Sequence, residues 1–125
     1  MTYKEYQYTK KIIFDYFEEN FKNNNIEISK DTMKNSIQCL GGVQIIKKTK
    51  HSSKIIKIWS DITKNHFLIN DMITNEEIPE FIENRHDQSI YSILVNIFGS
   101  IKLKDEVDFD NWTDGNEYPF LAKRL

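Results

Sequence analysis

The spacing of apolar side chains predicts three amphipathic helices, over residues 10–20, over about 53–64, and between Asp87 and Gly99. The third is the clearest, because its apolar residues recur at helical spacing and Gly99 follows as a natural stop. Asp87 is a favourable N-cap for this helix, since a carboxylate accepts hydrogen bonds from the first free backbone N–H groups. Helices therefore account for much of the predicted structure.

Two short apolar runs predict β-strands. Val43 to Ile46 follows a glycine pair and has the β-branched character of a strand, and residues 101–103 are predicted to form a short edge strand. Residues 26–36 follow no clear period, and residues 65–82 are predicted to be mostly loop. Helices mixed with strands predict an α/β fold class.

Composition places the chain among soluble globular proteins. A length of 125 residues predicts a single domain over 1–125, with 39% hydrophobic and 29% charged residues. The net charge of -2 argues against a nucleic acid partner, and no apolar run approaches the roughly 20 residues of a membrane span. Cys39 is the only cysteine, so an internal disulfide is excluded, and a cytoplasmic location is expected.

The densest chemistry in the sequence is the run Glu83–Ser89, directly before the third helix. It combines a guanidinium, an imidazole, a carboxylate, an amide and a hydroxyl. One interpretation is a capped helix in which Asp87 complements the helix dipole and the other polar side chains have no specific role. The other is a binding site for a hydroxyl-rich or anionic ligand at the helix start. The residues alone favour the capping role and leave both interpretations open.

Other candidate chemistry has a simpler explanation. Asp108 and Asp110 have the Asp-x-Asp spacing that can hold Mg²⁺ or Mn²⁺, but no apolar strand precedes them, so a solvated acidic loop is expected. The three histidines lack the spacing of metal ligands, and no metal site is predicted. The basic segment Lys47–His51 is interpreted as a solvated turn.

An ordered set of segments resembles the C-terminal half of glycosyltransferase-like proteins with a GT-A-like (nucleotide-diphospho-sugar transferase) fold, of the type found in capsule and viral glycosylation systems. The resemblance covers nearly the whole chain, and its sharpest piece is His86-Asp87-Gln88-Ser89. The segments that carry it are Tyr8–Lys11, Gln38–Lys48, Ile58–Trp59, Phe67–Asp71, Glu83–Ile90 and Tyr118–Arg124.

The resemblance implies a partial GT-A-like α/β domain, the acceptor-side half of a hexosyl transferase that uses a nucleotide sugar. It implies that Asp87 orients the acceptor or acts as the catalytic base, and that Gln88 lines the reacting face. It further implies that Arg85, His86 and Asp71 bind substrate. The expected partners are a carbohydrate acceptor and a second chain.

In that family the N-terminal half carries the nucleotide-binding strands and the metal-binding Asp-x-Asp. Mn²⁺ or Mg²⁺ with a nucleotide sugar is therefore expected only if a partner chain supplies a donor-binding half. The function expected from the resemblance is a truncated or split glycosyltransferase-related protein. The alternative is a catalytically inert remnant or a protein-interaction module.

Overall fold

The computed structural model describes residues 3–39, 42 and 44–102, and the regular structure of these residues is helical. An isolated antiparallel bridge joins Lys4 and Ile37. The helices in chain order are α1 (Glu5–Tyr8), α2 (Lys11–Asn23), α3 (Lys30–Asn35), α4 (Lys50–Thr63), α5 (His66–Ile69) and α6 (Asp87–Phe98).

The prediction of an α/β fold, and with it of a partial GT-A-like domain, is wrong. The structure is 55% helical and 2% strand, and its described residues form no sheet. Of the predicted strand at 43–46, Gln44, Ile45 and Ile46 have no regular structure, and Val43 lies outside the described residues. Of the strand predicted at 101–103, Ile101 and Lys102 are likewise irregular, and the third residue lies outside the described part. An apolar run forms a strand only where neighbouring strands pair with its backbone, and the described part of the chain contains no sheet.

Local capping explains where the predicted helices begin and end. The second predicted helix starts at Lys50, three residues before the predicted start, because Thr49 and Ser52 form a reciprocal capping box. The first begins at Lys11 rather than at residue 10, because Thr9 turns its hydroxyl to the Glu5 carboxylate instead of capping. It extends to Asn23, beyond the predicted end at residue 20.

The core is built around α6. Ile90, Ile93 and Leu94 are at most 1% exposed and pack in one cluster with Phe14 and Phe17 of α2. The pair formed by α4 and α6 is the most extensive helix contact. Burying each of these large side chains contributes about 2–3 kcal/mol, so α6 is the element that orders the others around it.

A second face of α6 is polar and buries a carboxyl group. Glu5 of α1 is fully buried and accepts hydrogen bonds from the Ser92 hydroxyl of α6, from Thr9 Oγ1 at 3.0 Å and from Gln38 Nε2 at 3.4 Å. The Ser92 oxygen in turn accepts from the Cys39 backbone N–H at 2.7 Å. Burial, only partly opposed by these hydrogen bonds, raises the pKa of Glu5 to about 7.

Candidate functional site

The chain enters α6 through a strained turn at His86. The Gln88 N–H donates to the Arg85 carbonyl at 3.1 Å and closes the turn. Its first central residue, His86, has φ 56° and ψ -125°, the dihedrals of that position in a type II′ turn. This position normally requires glycine, because a Cβ is disfavoured at positive φ. An imidazole is therefore placed where the backbone favours no side chain at all.

The N-cap of α6 differs by one residue from the prediction. His86 occupies the N-cap position without a side-chain cap hydrogen bond, and Asp87 is the first helical residue. Ser89 takes over the local hydrogen bonding, because its Oγ accepts from the Arg85 N–H at 3.1 Å and donates to the Tyr8 carbonyl at 2.7 Å. The Asp87 side chain is therefore not used as an N-cap, although its charge still complements the helix dipole.

The structure brings Asp71 and His86 together, although fifteen residues separate them in sequence. His86 Nε2 lies 2.5 Å from Asp71 Oδ1, and both side chains are at least half exposed. With Asp71 accepting from Nε2–H, the other ring nitrogen, Nδ1, keeps its lone pair. A histidine oriented by a carboxylate in this way is the arrangement of a general base.

Two buried side chains hold the turn that carries Asp71, and neither was identified from sequence. The Lys10 ammonium, 1% exposed, donates to the carbonyls of Phe67 (2.7 Å), Asn70 (3.1 Å) and Met72 (3.2 Å), and to the Asn70 side-chain oxygen (2.9 Å). Burial lowers the pKa of Lys10, and the charges of Glu77 and Asp71 oppose that effect. In a lysine-rich chain, no signal distinguishes Lys10 from its neighbours.

Asn84 completes the anchoring of this turn. Its Nδ2 donates to the carbonyls of Leu68 at 3.1 Å and Asn70 at 3.3 Å, and the residue is 5% exposed. Its Oδ1 is buried without a partner among the described residues. Because Asn84 lies two residues before His86, it fixes both sides of the Asp71–His86 contact at once.

Arg85 packs against neighbouring side chains and does not extend into an open pocket. Its guanidinium lies 4.4 Å from the centre of the Tyr8 ring, a cation–π distance. Its Nε is 2.8 Å from Glu83 Oε1, close enough for an ion pair but without hydrogen-bond alignment. Arg85 borders the site and has little freedom to enter it.

Asp87 and Gln88, the predicted catalytic pair, differ in accessibility. Asp87 is exposed, and its backbone carbonyl accepts from the indole N–H of Trp59 at 2.9 Å. The Trp59 ring packs on Tyr91, with 4.9 Å between ring centres. Gln88 is half-buried, and its Nε2 is buried without a hydrogen-bond partner among the described residues. Asp87 is thus available to a ligand, whereas Gln88 faces inward.

The candidate site is an open surface. Two recesses in the described part, of about 250 Å³ and about 150 Å³, are lined by other residues. The described residues contain no group of three or more metal-ligating side chains, and Asp108 and Asp110 lie outside them. Among the described helices, none is both long and apolar enough to cross a membrane.

The chain matches no protein-family model, and comparisons with curated proteins and with solved structures found no significant match.

Proposed function

We propose that the chain is a glycosyltransferase-related protein whose Asp71–His86 pair binds and activates a hydroxyl group of a carbohydrate acceptor. The observation that carries this proposal is the conformation of His86. The backbone adopts a glycine-type turn there, at a cost of about 1–3 kcal/mol, and the imidazole meets a carboxylate from a distant segment. Strain of this kind concentrates at functional sites, and a helix start alone does not require it.

The chemistry assigns His86 the role of base. The acceptor O–H proton moves to His86 Nδ1, and Asp71 stabilises the resulting imidazolium. The acceptor oxygen forms a bond to the anomeric carbon of the donor sugar, and the nucleoside diphosphate leaves with the bonding electrons. The resemblance implies the base role for Asp87, but the geometry favours His86, because His86 has an orienting partner. Asp87, exposed beside it, accepts a hydrogen bond from a neighbouring sugar hydroxyl.

The donor side of this reaction is assigned to a partner chain. The resemblance covers the acceptor-side half of a transferase, and in such enzymes the other half binds the nucleotide sugar with Mn²⁺ or Mg²⁺. In this proposal the described residues bind the acceptor, and metal and nucleotide are bound by the partner. Catalysis therefore requires a donor-binding half in addition to the described residues.

A second candidate, an inert protein-interaction module, is favoured by a different observation. Large apolar side chains are exposed on the described surface, among them Ile45 (76%) and Met72 (71%). Exposed apolar groups of this kind are typical of binding surfaces. This candidate predicts protein binding without any response to sugars.

Titration with acceptor sugars, followed by ¹H–¹⁵N NMR, distinguishes the two candidates. We expect a panel of neutral mono- and disaccharides to shift the amide signals of residues 85–89 in the wild-type protein. Asp71→Asn and His86→Gly should each remove these shifts while the rest of the spectrum stays dispersed. Asp31→Asn and His66→Gln, at exposed positions elsewhere, should leave sugar binding unchanged.

The donor half is tested separately by calorimetric titration with nucleotide sugars and Mn²⁺. Heat of binding is expected only when a partner chain with the donor half is added. If no sugar shifts residues 85–89, or if His86→Gly binds sugar as well as the wild type does, the site proposal is wrong.

A further inference from the structure

The first of two exposed apolar patches is basic. This basic patch consists of Ile45, Ile46, Lys47, Lys48 and Lys50, all exposed. The two isoleucines are 76% and 48% exposed. No ion pair holds the three lysines among the described residues. From residue 44 to residue 60 the sequence contains five lysines and no acidic residue. The basic patch therefore exposes apolar and positively charged side chains next to one another in sequence.

The second patch is acidic and even richer in apolar surface. This acidic patch consists of Phe67, Met72, Ile73, Glu80 and Ile82. Its apolar members are 58–71% exposed, and Glu80 is also exposed. From residue 65 to residue 84 the sequence contains five carboxylates and no lysine or arginine. Glu76 forms an ion pair with Lys11 and Glu83 with Arg85, and the Lys10 ammonium lies buried under the turn. Five carboxylates against these three cations leave the surface negative.

Hydrogen bonds bring the backbones of Phe67, Met72 and the segment after Ile82 close together. The Lys10 ammonium binds the carbonyls of both Phe67 and Met72, which lie within hydrogen-bonding distance of one atom. Asn84, two residues after Ile82, donates to the Asn70 carbonyl. Phe67 and Met72 therefore lie on one anchored turn, and Ile82 lies two residues from the Asn84 side chain that helps to hold this turn.

The two patches lie at opposite ends of α6. At its start, His86 contacts Asp71 next to the acidic patch. At its end, a ring nitrogen of His51 lies 2.9 Å from the Gly99 carbonyl, and Gly99 lines the same recess as Ile45 and Ile46. A twelve-residue helix is about 18 Å long, so the patches of one chain do not meet.

We propose that the acidic patch of one copy docks on the basic patch of a second copy, so that the chain associates head to tail. Burial of the exposed apolar side chains supplies the affinity, and the opposite charges select the orientation. Such a contact uses two different surfaces, so each bound copy keeps one patch free, and the pair still presents one free patch of each sign. Repeated head-to-tail contacts close into a ring or extend into a filament. The inference is independent of sugar binding.

Sedimentation velocity and light scattering on the purified chain test this association. The wild type should grow from a 14.9 kDa monomer to larger species as its concentration rises from micromolar to millimolar. Salt at about 1 M, where the Debye length is about 3 Å, should weaken the association. A wild type that stays monomeric throughout overturns the proposal, and so does an association that disappears after nuclease treatment.

Two double variants identify the surfaces. Lys47→Gln/Lys48→Gln removes charge from the basic patch, and Met72→Ser/Glu80→Gln removes the charge and an apolar side chain of the acidic patch. Each should be monomeric alone, whereas an equimolar mixture should form a 1:1 dimer, because each variant keeps the patch that the other lacks. A mixture that remains monomeric contradicts the head-to-tail geometry.

Charge changes elsewhere serve as controls. Lys22 and Glu27 are exposed near the end of α2 and belong to neither patch. Lys22→Glu and Glu27→Lys should associate as the wild type does. If they also become monomeric, the association depends on net charge alone and the proposed surfaces are wrong.

Discussion

Replacing the buried Glu5 by glutamine should make the stability of the protein less dependent on pH. Glu5 is fully buried, and its pKa rises from 4.5 to about 7 on folding. The folded state therefore binds the proton more tightly than the unfolded state does. The stability contributed by this proton is fully present below pH 4.5 and is lost as the pH rises to about 7. Above pH 7 the buried carboxylate is ionised, and it lowers the free energy of unfolding by a constant amount.

The size of this reduction follows from the pKa change. Each pKa unit corresponds to about 1.4 kcal/mol, so a rise from 4.5 to about 7 amounts to about 3 kcal/mol. Glutamine has nearly the same shape and stays neutral. Its oxygen can accept from Thr9 and Gln38, and its NH₂ group can donate to the Ser92 oxygen. We therefore expect Glu5→Gln to match the wild type near pH 4 and to exceed its stability by about 2–3 kcal/mol near pH 8.

Urea unfolding of both proteins between pH 4 and pH 9 measures this difference. Other groups titrate equally in the two proteins, so the difference in unfolding free energy isolates Glu5. Glu27→Gln, at an exposed position, should follow the wild-type curve throughout. If Glu5→Gln and the wild type lose the same free energy between pH 4 and pH 8, the carboxyl of Glu5 does not titrate in this range and the reasoning is refuted.

Three further substitutions test the anchoring, core and capping described above. Lys10→Met should cost about 2–4 kcal/mol, because the carbonyls of the Asp71 turn lose their buried donor; an unfolding midpoint equal to that of Lys22→Met would contradict the anchoring role. Phe17→Ala should cost about 3–5 kcal/mol in urea unfolding, since its ring is 1% exposed; a loss below about 1 kcal/mol would mean a loosely packed core. Thr49→Ala should cost about 1 kcal/mol through loss of the capping box, and an unchanged thermal midpoint would argue against that cap.

The three long helices α2, α4 and α6 were predictable because their signals are local, whereas the short helices α1, α3 and α5 were not predicted. The α6 stripe repeats at helical spacing before Gly99. Its residues Ile90, Ile93 and Leu94 belong to the buried core cluster, and Ile97 and Phe98 are partly buried against that cluster. The start of α4 was misplaced because Ser52 and Ser53 each fit an N-cap by residue type, whereas Thr49 is the N-cap and Ser52 completes its capping box. Ile45 and Ile46 predicted a strand wrongly, because a short apolar run does not reveal whether a partner strand exists.

The site was predictable only in part. The run before α6 was identified as a place of dense chemistry, and the resemblance implied roles for Asp71 and His86. Their contact depends on a turn held by Lys10 and Asn84, one of which lies some sixty residues away in sequence. Such long-range anchoring leaves no periodic signal. The positive φ of His86 was also hidden, since a histidine in a turn gives no hint of a glycine-type backbone.

The backbone at His86 creates a conflict that a variant library would reveal. Glycine at this position removes the Cβ that positive φ disfavours, so selection for cellular abundance alone should enrich glycine, with asparagine next. Selection for ligand binding should instead retain the imidazole and accept the conformational cost. At position 86, a screen for abundance and a screen for binding would therefore favour different residues. The difference between the enrichment of glycine in the first and of histidine in the second would report the stability that the protein loses by keeping the imidazole.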